Sequence, residues 1–290
     1  MNYQISNKYI SITVSDVGAE LQSIVKEGQE YLWNGDAKYW PERSPLLFPF
    51  VGRFTNGKYL LGGKEYEMDI HGFARKLPYA LVEKTKNTLI FELCDNEETY
   101  KMYPYHFELQ VQYELVENTV EISYQVLNLS EDRMYFGIGG HPGFALPFEE
   151  GLDFSDYYLE FEGKSFPTRI GHTETCFLSG VDEAFELKED KYLPLAHTMF
   201  DDDAIVLKNV SDKVTLKSDK GTRKVTVSYP KLPYLGLWHA PKTKAPYICI
   251  EPWTSLPSRQ DIVEEFRYKY DLIRVDKAEM YTNAWSIKIE

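Results

Sequence analysis

The 290-residue sequence predicts an all-β protein, an antiparallel sandwich or barrel rather than a βαβ fold. Three observations carry that expectation. Apolar and polar residues alternate with a period of two, a helical period hardly appears, and the strand-like runs are short and divided by polar turns.

In chain order, strands are expected at Tyr9–Val14, where Ile10, Ile12 and Val14 alternate with Ser11 and Thr13, and then at Leu21–Lys26 and Thr88–Leu93. The clearest element runs from Phe107 to Leu115, with every second residue apolar and Glu or Gln between. After Glu117 and Asn118 the pattern resumes with Val120, Ile122, Tyr124 and Val126, so a β-hairpin is predicted. Further strands fit Tyr158–Phe161, Ala204–Lys208, Lys213–Lys217, Lys224–Tyr229, Tyr247–Glu251 and Ala284–Lys288. One short helix is expected over Ser258–Phe266. Ile262, Val263 and Phe266 would share a face there, and Ser258 followed by Asp261 reads as a cap. No Pro-, Gly- or Ser-rich linker, repeat or low-complexity tract divides the chain, so a single domain over residues 1–290 is expected.

The chain is 43% hydrophobic, enough for a substantial core. Its net charge of −13 disfavours nucleic acid and anionic membranes as partners. No apolar run approaches the roughly 18–20 residues of a membrane helix, and the polar start reads neither as a secretory signal nor as a transit peptide. Cys94, Cys176 and Cys249 are scattered without metal or redox spacing, which suits reduced thiols in a cytoplasmic protein.

Four segments break the alternation. In Ser44–Gly57, Arg53 sits among apolar and proline residues and must find acceptors, as a structural ion pair or a substrate clamp. His71 is followed by Gly72, which permits a tight turn or a close approach to a ligand. His141 stands in Phe136–Phe144 among four glycines and a proline, so its ring is either aimed or simply a turn residue. Glu251 ends an apolar strand before Pro252 and Trp253. Desolvation there would disfavour its charged form and make it a general base of raised pKa; a salt bridge, with Arg53 as one partner, is the other reading.

Such parts suit the opening of a pyranose ring. A base removes the proton on the anomeric O1 while an acid protonates the ring oxygen O5, and rotation about C1–C2 before reclosure exchanges the anomers. Histidine is a ready donor near neutral pH and glutamate a suitable base once its pKa is lifted. No cofactor, metal or covalent intermediate is needed.

At these residues the sequence resembles the aldose 1-epimerase (galactose mutarotase) family, in particular its LacX-type branch. The resemblance runs through Gly18–Leu21, Tyr31–Asn34, Leu47–Arg53, His71–Phe73, Gly140–Phe144 and Ile250–Trp253. It implies a large twisted antiparallel β-sandwich, the galactose mutarotase-like supersandwich. It also implies Glu251 as the base for O1, His141 as the acid for O5, and Arg53 and His71 as substrate-orienting groups. A sugar-binding aspartate is implied within Phe200–Val206, with Asp201 matching the motif and Asp203 as its rival. The expected partner is a small-molecule sugar, a free aldohexose. Two alternatives keep the scaffold: a hexose phosphate as substrate, for which Arg43, Arg75 and Lys76 could supply cations, or a non-catalytic carbohydrate-binding or sensing protein. A metal hydrolase is disfavoured because the six histidines show no paired ligand spacing.

Overall fold

A computed structural model describes all residues, 1–290, and the chain folds as antiparallel sheets. The hairpin is present as Phe107–Val116 and Thr119–Asn128, with Val116 opposite Thr119 and a left-handed Glu117 at the turn. It lies within a nine-stranded sheet. The neighbours on one side are Thr88–Cys94 and Ala80–Lys84; on the other they are Met280–Ile289, Val225–Ser228, Lys213–Lys217, Tyr158–Phe161 and Tyr192–Pro194.

A second large sheet is centred on Tyr247–Trp253. Tyr234–Trp238, Ile205–Lys208, Thr168–Arg169 and Glu183–Ala184 extend it to one side. On the other side Gly139–Gly140 and Gly143–Ala145 pair with the same central strand, and Leu46–Leu47 closes the edge. A four-stranded sheet holds the N-terminal thirty residues.

Strand parity places the core and the site on opposite faces of the second sheet. Ile205, Leu207, Leu235, Leu237, Ile248 and Ile250 point inward, into a 64-residue core shared with Phe91, Val111, Val126 and Ile287 of the nine-stranded sheet. Burying an isoleucine stabilises by about 1.5–3 kcal/mol, so Ile248 and Ile250 anchor the central strand from one side. Val206, Gly236, Trp238, Cys249, Glu251 and Trp253 alternate with them and face away from that core.

The helix expected over Ser258–Phe266 is not formed. The Ser258 hydroxyl accepts the Thr55 N–H (2.9 Å) and its N–H donates to the Arg53 carbonyl (3.0 Å), so it ties two loops together instead of capping a helix. Asp261 takes a left-handed conformation that ends any helical run, and only a 3-10 turn forms, at Phe266–Tyr268. The one α-helix is Glu97–Met102, where Asn96 and Thr99 exchange capping hydrogen bonds. The loop behind Ser258 is held by a buried ion pair of Lys269 and Asp271, whose second carboxylate oxygen accepts the Leu256 N–H at 2.6 Å. No helix is long and apolar enough to cross a membrane.

Candidate active site

The outward face of the second sheet is the floor of a cleft of about 310 Å³, within the range of small-molecule sites. Register sets its two central groups. Gly139 pairs with Trp253 and Gly143 with Cys249, so His141, midway between them, stands opposite Glu251. The partner strand is interrupted there. The His141 N–H donates to the Pro45 carbonyl (3.2 Å) and Pro142 accepts the Ile250 N–H (3.1 Å). Gly140 must be glycine for a steric reason: a Cβ would lie 2.5 Å from the Trp285 ring of the facing sheet.

The side chains then meet. His141 Nε2 lies 3.2 Å from Glu251 Oε2, and both residues are buried. The approach is close without being an aligned hydrogen bond, because Oε2 and His141 Nδ1 have no hydrogen-bond partner in the protein. Desolvation pushes the Glu251 carboxyl well above its usual range; the Asp203 charge adds to this and the nearby Trp253 indole opposes it. Burial pulls His141 down to about 3, and the Arg75 charge acts in the same direction. Both groups therefore favour their neutral forms, and the pair carries one proton between them.

His71 lies beside this pair, its ring 5.8 Å from that of His141 and perpendicular to it. Its Nδ1 accepts the Gly52 N–H (3.1 Å), which leaves Nε2 as the donor nitrogen. Desolvation, reinforced by His141, Arg75 and Arg53, keeps the ring neutral. Gly72 permits the turn, since a Cβ there would stand 2.2 Å from the Phe48 carbonyl oxygen.

Arg53 also lines the cleft. It has no carboxylate partner and touches the Thr175 carbonyl at 3.3 Å, so the Glu251–Arg53 salt bridge is not formed. Of the two expected aspartates only Asp203 lines the cleft. Its left-handed backbone brings the carboxylate towards Glu251, and its Oδ2 lies 2.8 Å from the Cys176 thiol. Burial, then Asp203, raises that thiol to about 11. Asp201 falls outside the lining because it caps the 3-10 turn His197–Phe200, where its charge acts on His239.

Sequence reasoning missed several lining residues. Trp40 lies over His141 at a tilt, with ring centroids 4.8 Å apart, and Trp238 packs against both edge-on. Asp202, His172 and Cys176 complete one side, while Glu42, ion-paired with Arg75, stands on the rim. Only the run Tyr-Leu-Gly-Leu-Trp at 234–238 carried a local signal, that of a buried strand. Of the other cations proposed for a phosphate, Arg43 donates to the Gln22 carbonyl and Lys76 pairs with Asp69; neither lines the cleft.

Residues 1–284 match the family model of aldose 1-epimerase. The plasmid protein LacX of Lactococcus lactis subsp. lactis is 35% identical over 271 residues, which cover 88% of each chain. A galactose mutarotase related enzyme from Lactobacillus acidophilus superimposes with a TM-score of 0.95 at 34% identity, over all of this chain and 97% of its own. A galactose mutarotase-like protein from Lactobacillus casei ATCC 334 also gives 0.95, at 30% identity over the whole of both chains.

Proposed function

Because this chain belongs to the aldose 1-epimerase family, we propose that it interconverts the α and β anomers of a free aldohexose by acid–base ring opening and reclosure. The observation that carries this reading is the buried Glu251–His141 pair, 3.2 Å apart on the cleft floor. Moving the pair's proton from Glu251 to His141 creates the working state, a carboxylate base and an imidazolium acid, with no exchange with solvent. Glu251 then takes the O1 proton as His141 protonates O5. Rotation about C1–C2 and the reverse transfers complete the exchange.

In this reading Arg53 and the His71 Nε2–H hold hydroxyls as donors and Asp203 as an acceptor. Trp40 and Trp238 offer flat apolar surfaces to the sugar. A hexose phosphate is less suited, because Arg75 is committed to Glu42 while Glu42, Asp202, Asp203 and Glu251 line the same cleft. A cytoplasmic setting is part of the proposal, supported by three free thiols.

Polarimetry of freshly dissolved α-glucose and α-galactose tests it. The expected result is faster equilibration with the protein and a loss of about 10²–10⁴-fold in Glu251→Gln, the range for a positioned proton-transfer group. Sugar binding without acceleration would overturn the catalytic reading and leave a sugar sensor.

A further inference from the structure

A third ionisable group lies beside the acid–base pair, and the proposed reaction does not use it. Cys249 is two residues before Glu251 on the same face of the strand, fully buried. One ligand atom each from His141, Cys249 and Glu251 lies within 4.8 Å of the others. We propose that these three side chains form a binding site for a thiophilic divalent cation, Zn²⁺ foremost, whose occupation shuts off proton transfer. The inhibitory half of this inference rests on the epimerase reading; the binding half does not.

Three features support it. The first is donor chemistry: an imidazole nitrogen, a thiolate sulfur and a carboxylate oxygen form a three-ligand set suited to zinc, whereas magnesium and calcium prefer oxygen alone. The second is charge. A thiolate and a carboxylate cancel the two positive charges of the ion, so the filled site is neutral, as its burial requires. The third is geometry. Bonds of about 2.0–2.3 Å in a tetrahedron bring ligand atoms to roughly 3–4 Å from one another, and His141 Nε2 and Glu251 Oε2 are already 3.2 Å apart. Glu251 Oε2 has no hydrogen bond to lose. His141 and Glu251 line the cleft, where Asp203 favours a cation and Arg75 and Arg53 oppose one. An ion held there would occupy both groups that must pass the proton.

Cobalt(II) titrated into the full-length protein tests the binding half. The expected result is a thiolate-to-cobalt charge-transfer band saturating at one equivalent, abolished by Zn²⁺, absent in Cys249→Ala and kept in Cys176→Ser. Cys249→Ser serves if the alanine variant fails to fold, with binding weakened at least tenfold. No band at one equivalent, or a band that survives in Cys249→Ala, would overturn the site. For the inhibitory half, Zn²⁺ should slow anomer exchange in the wild type, with reversal by a chelator. Cobalt binding in an active enzyme that zinc does not slow would remove inhibition while leaving the site. A chain that never accelerates anomer exchange is still decided for binding by the cobalt band.

Discussion

The indole of Trp40 covers the imidazole of His141, with ring centroids 4.8 Å apart and planes 31° apart. Water is thereby kept from one face of the ring that the proposed mechanism uses as acid, and burial is the leading cause of its fall to about 3.

The pH profile follows from that cover. Activity needs one proton on the Glu251–His141 pair, so the acid limb lies where the pair gains a second proton. Burial of His141 puts this limb far below the ordinary histidine value of 6.5. The alkaline limb, where the last proton leaves, lies above the usual carboxylate range because Glu251 is raised. In Trp40→Ala, water reaches the ring and the acid limb should move up towards 6.5. Initial rates of anomer exchange across pH, in both proteins, check this; an acid limb near 6.5 in the wild type would contradict it.

Gly140→Ala tests the packing behind His141. The new methyl would lie 2.5 Å from Trp285, so backbone or indole must yield. Overpacking of this kind costs about 1–3 kcal/mol, and His141 should shift away from Glu251. Thermal melts and rates should both fall, and Trp285→Phe in the same chain should restore part of each. Unchanged rates in Gly140→Ala would show that the loop tolerates displacement.

Lys269 and Asp271 pair out of contact with solvent, each side chain 2% exposed. Removing one partner leaves a buried charge, so Lys269→Met should destabilise by about 3–5 kcal/mol. Lys269→Met with Asp271→Leu should be milder than Lys269→Met alone. Denaturant melts of the single and double variants measure the difference. Because Asp271 also holds Leu256, next to the lining residue Pro257, sugar affinity should fall in Asp271→Leu.

Acid should destabilise the fold earlier than its carboxylates alone would predict. His71, His141, His172, His197 and His239 all have lowered folded pKa values, with burial as the first cause. Their contribution is complete above about 6.5, the unfolded value, and is lost as pH falls from there towards the folded values. Glu251, raised, has the opposite sign: its contribution is complete below the ordinary carboxylate range and shrinks as pH rises. Melts should show a midpoint falling below pH 6.5. We propose one domain over residues 1–290, since the main core draws on residues from Ile5 to Ile289. Calorimetry should then show a single transition; two resolved transitions would break that proposal.

The strands were legible because most are half-buried, and alternation records which face is inside. Leu21–Lys26, Tyr158–Phe161 and Lys213–Lys217 have the same ends in sequence and structure. Glu97–Met102 escaped notice because six residues are too few to show a helical period. Ser258 misled because a hydroxyl can serve a neighbouring loop as well as its own chain. His141 and Glu251 stood out through the glycines and prolines that shape their backbone. Trp40, His172 and Cys176 did not, because the arrangement of the sheets, not local pattern, brings them to the cleft. Three consecutive aspartates look alike in sequence; in the structure Asp201 caps a 3-10 turn, while Asp202 and Asp203 line the cleft.

The cleft has a division of labour with an evolutionary consequence. Val206, Trp238 and Glu251 rise from ladder positions locked in register, whereas Glu42, Ile70, Cys176 and Pro257 stand on connecting segments. Connecting segments accept substitution and insertion more readily than paired strands. Descendants of such a protein can therefore diversify in the sugars they accept by altering the rim, while the proton-handling floor passes unchanged from one specificity to the next. A mutagenesis library confined to those four rim positions is the economical route to a new sugar preference.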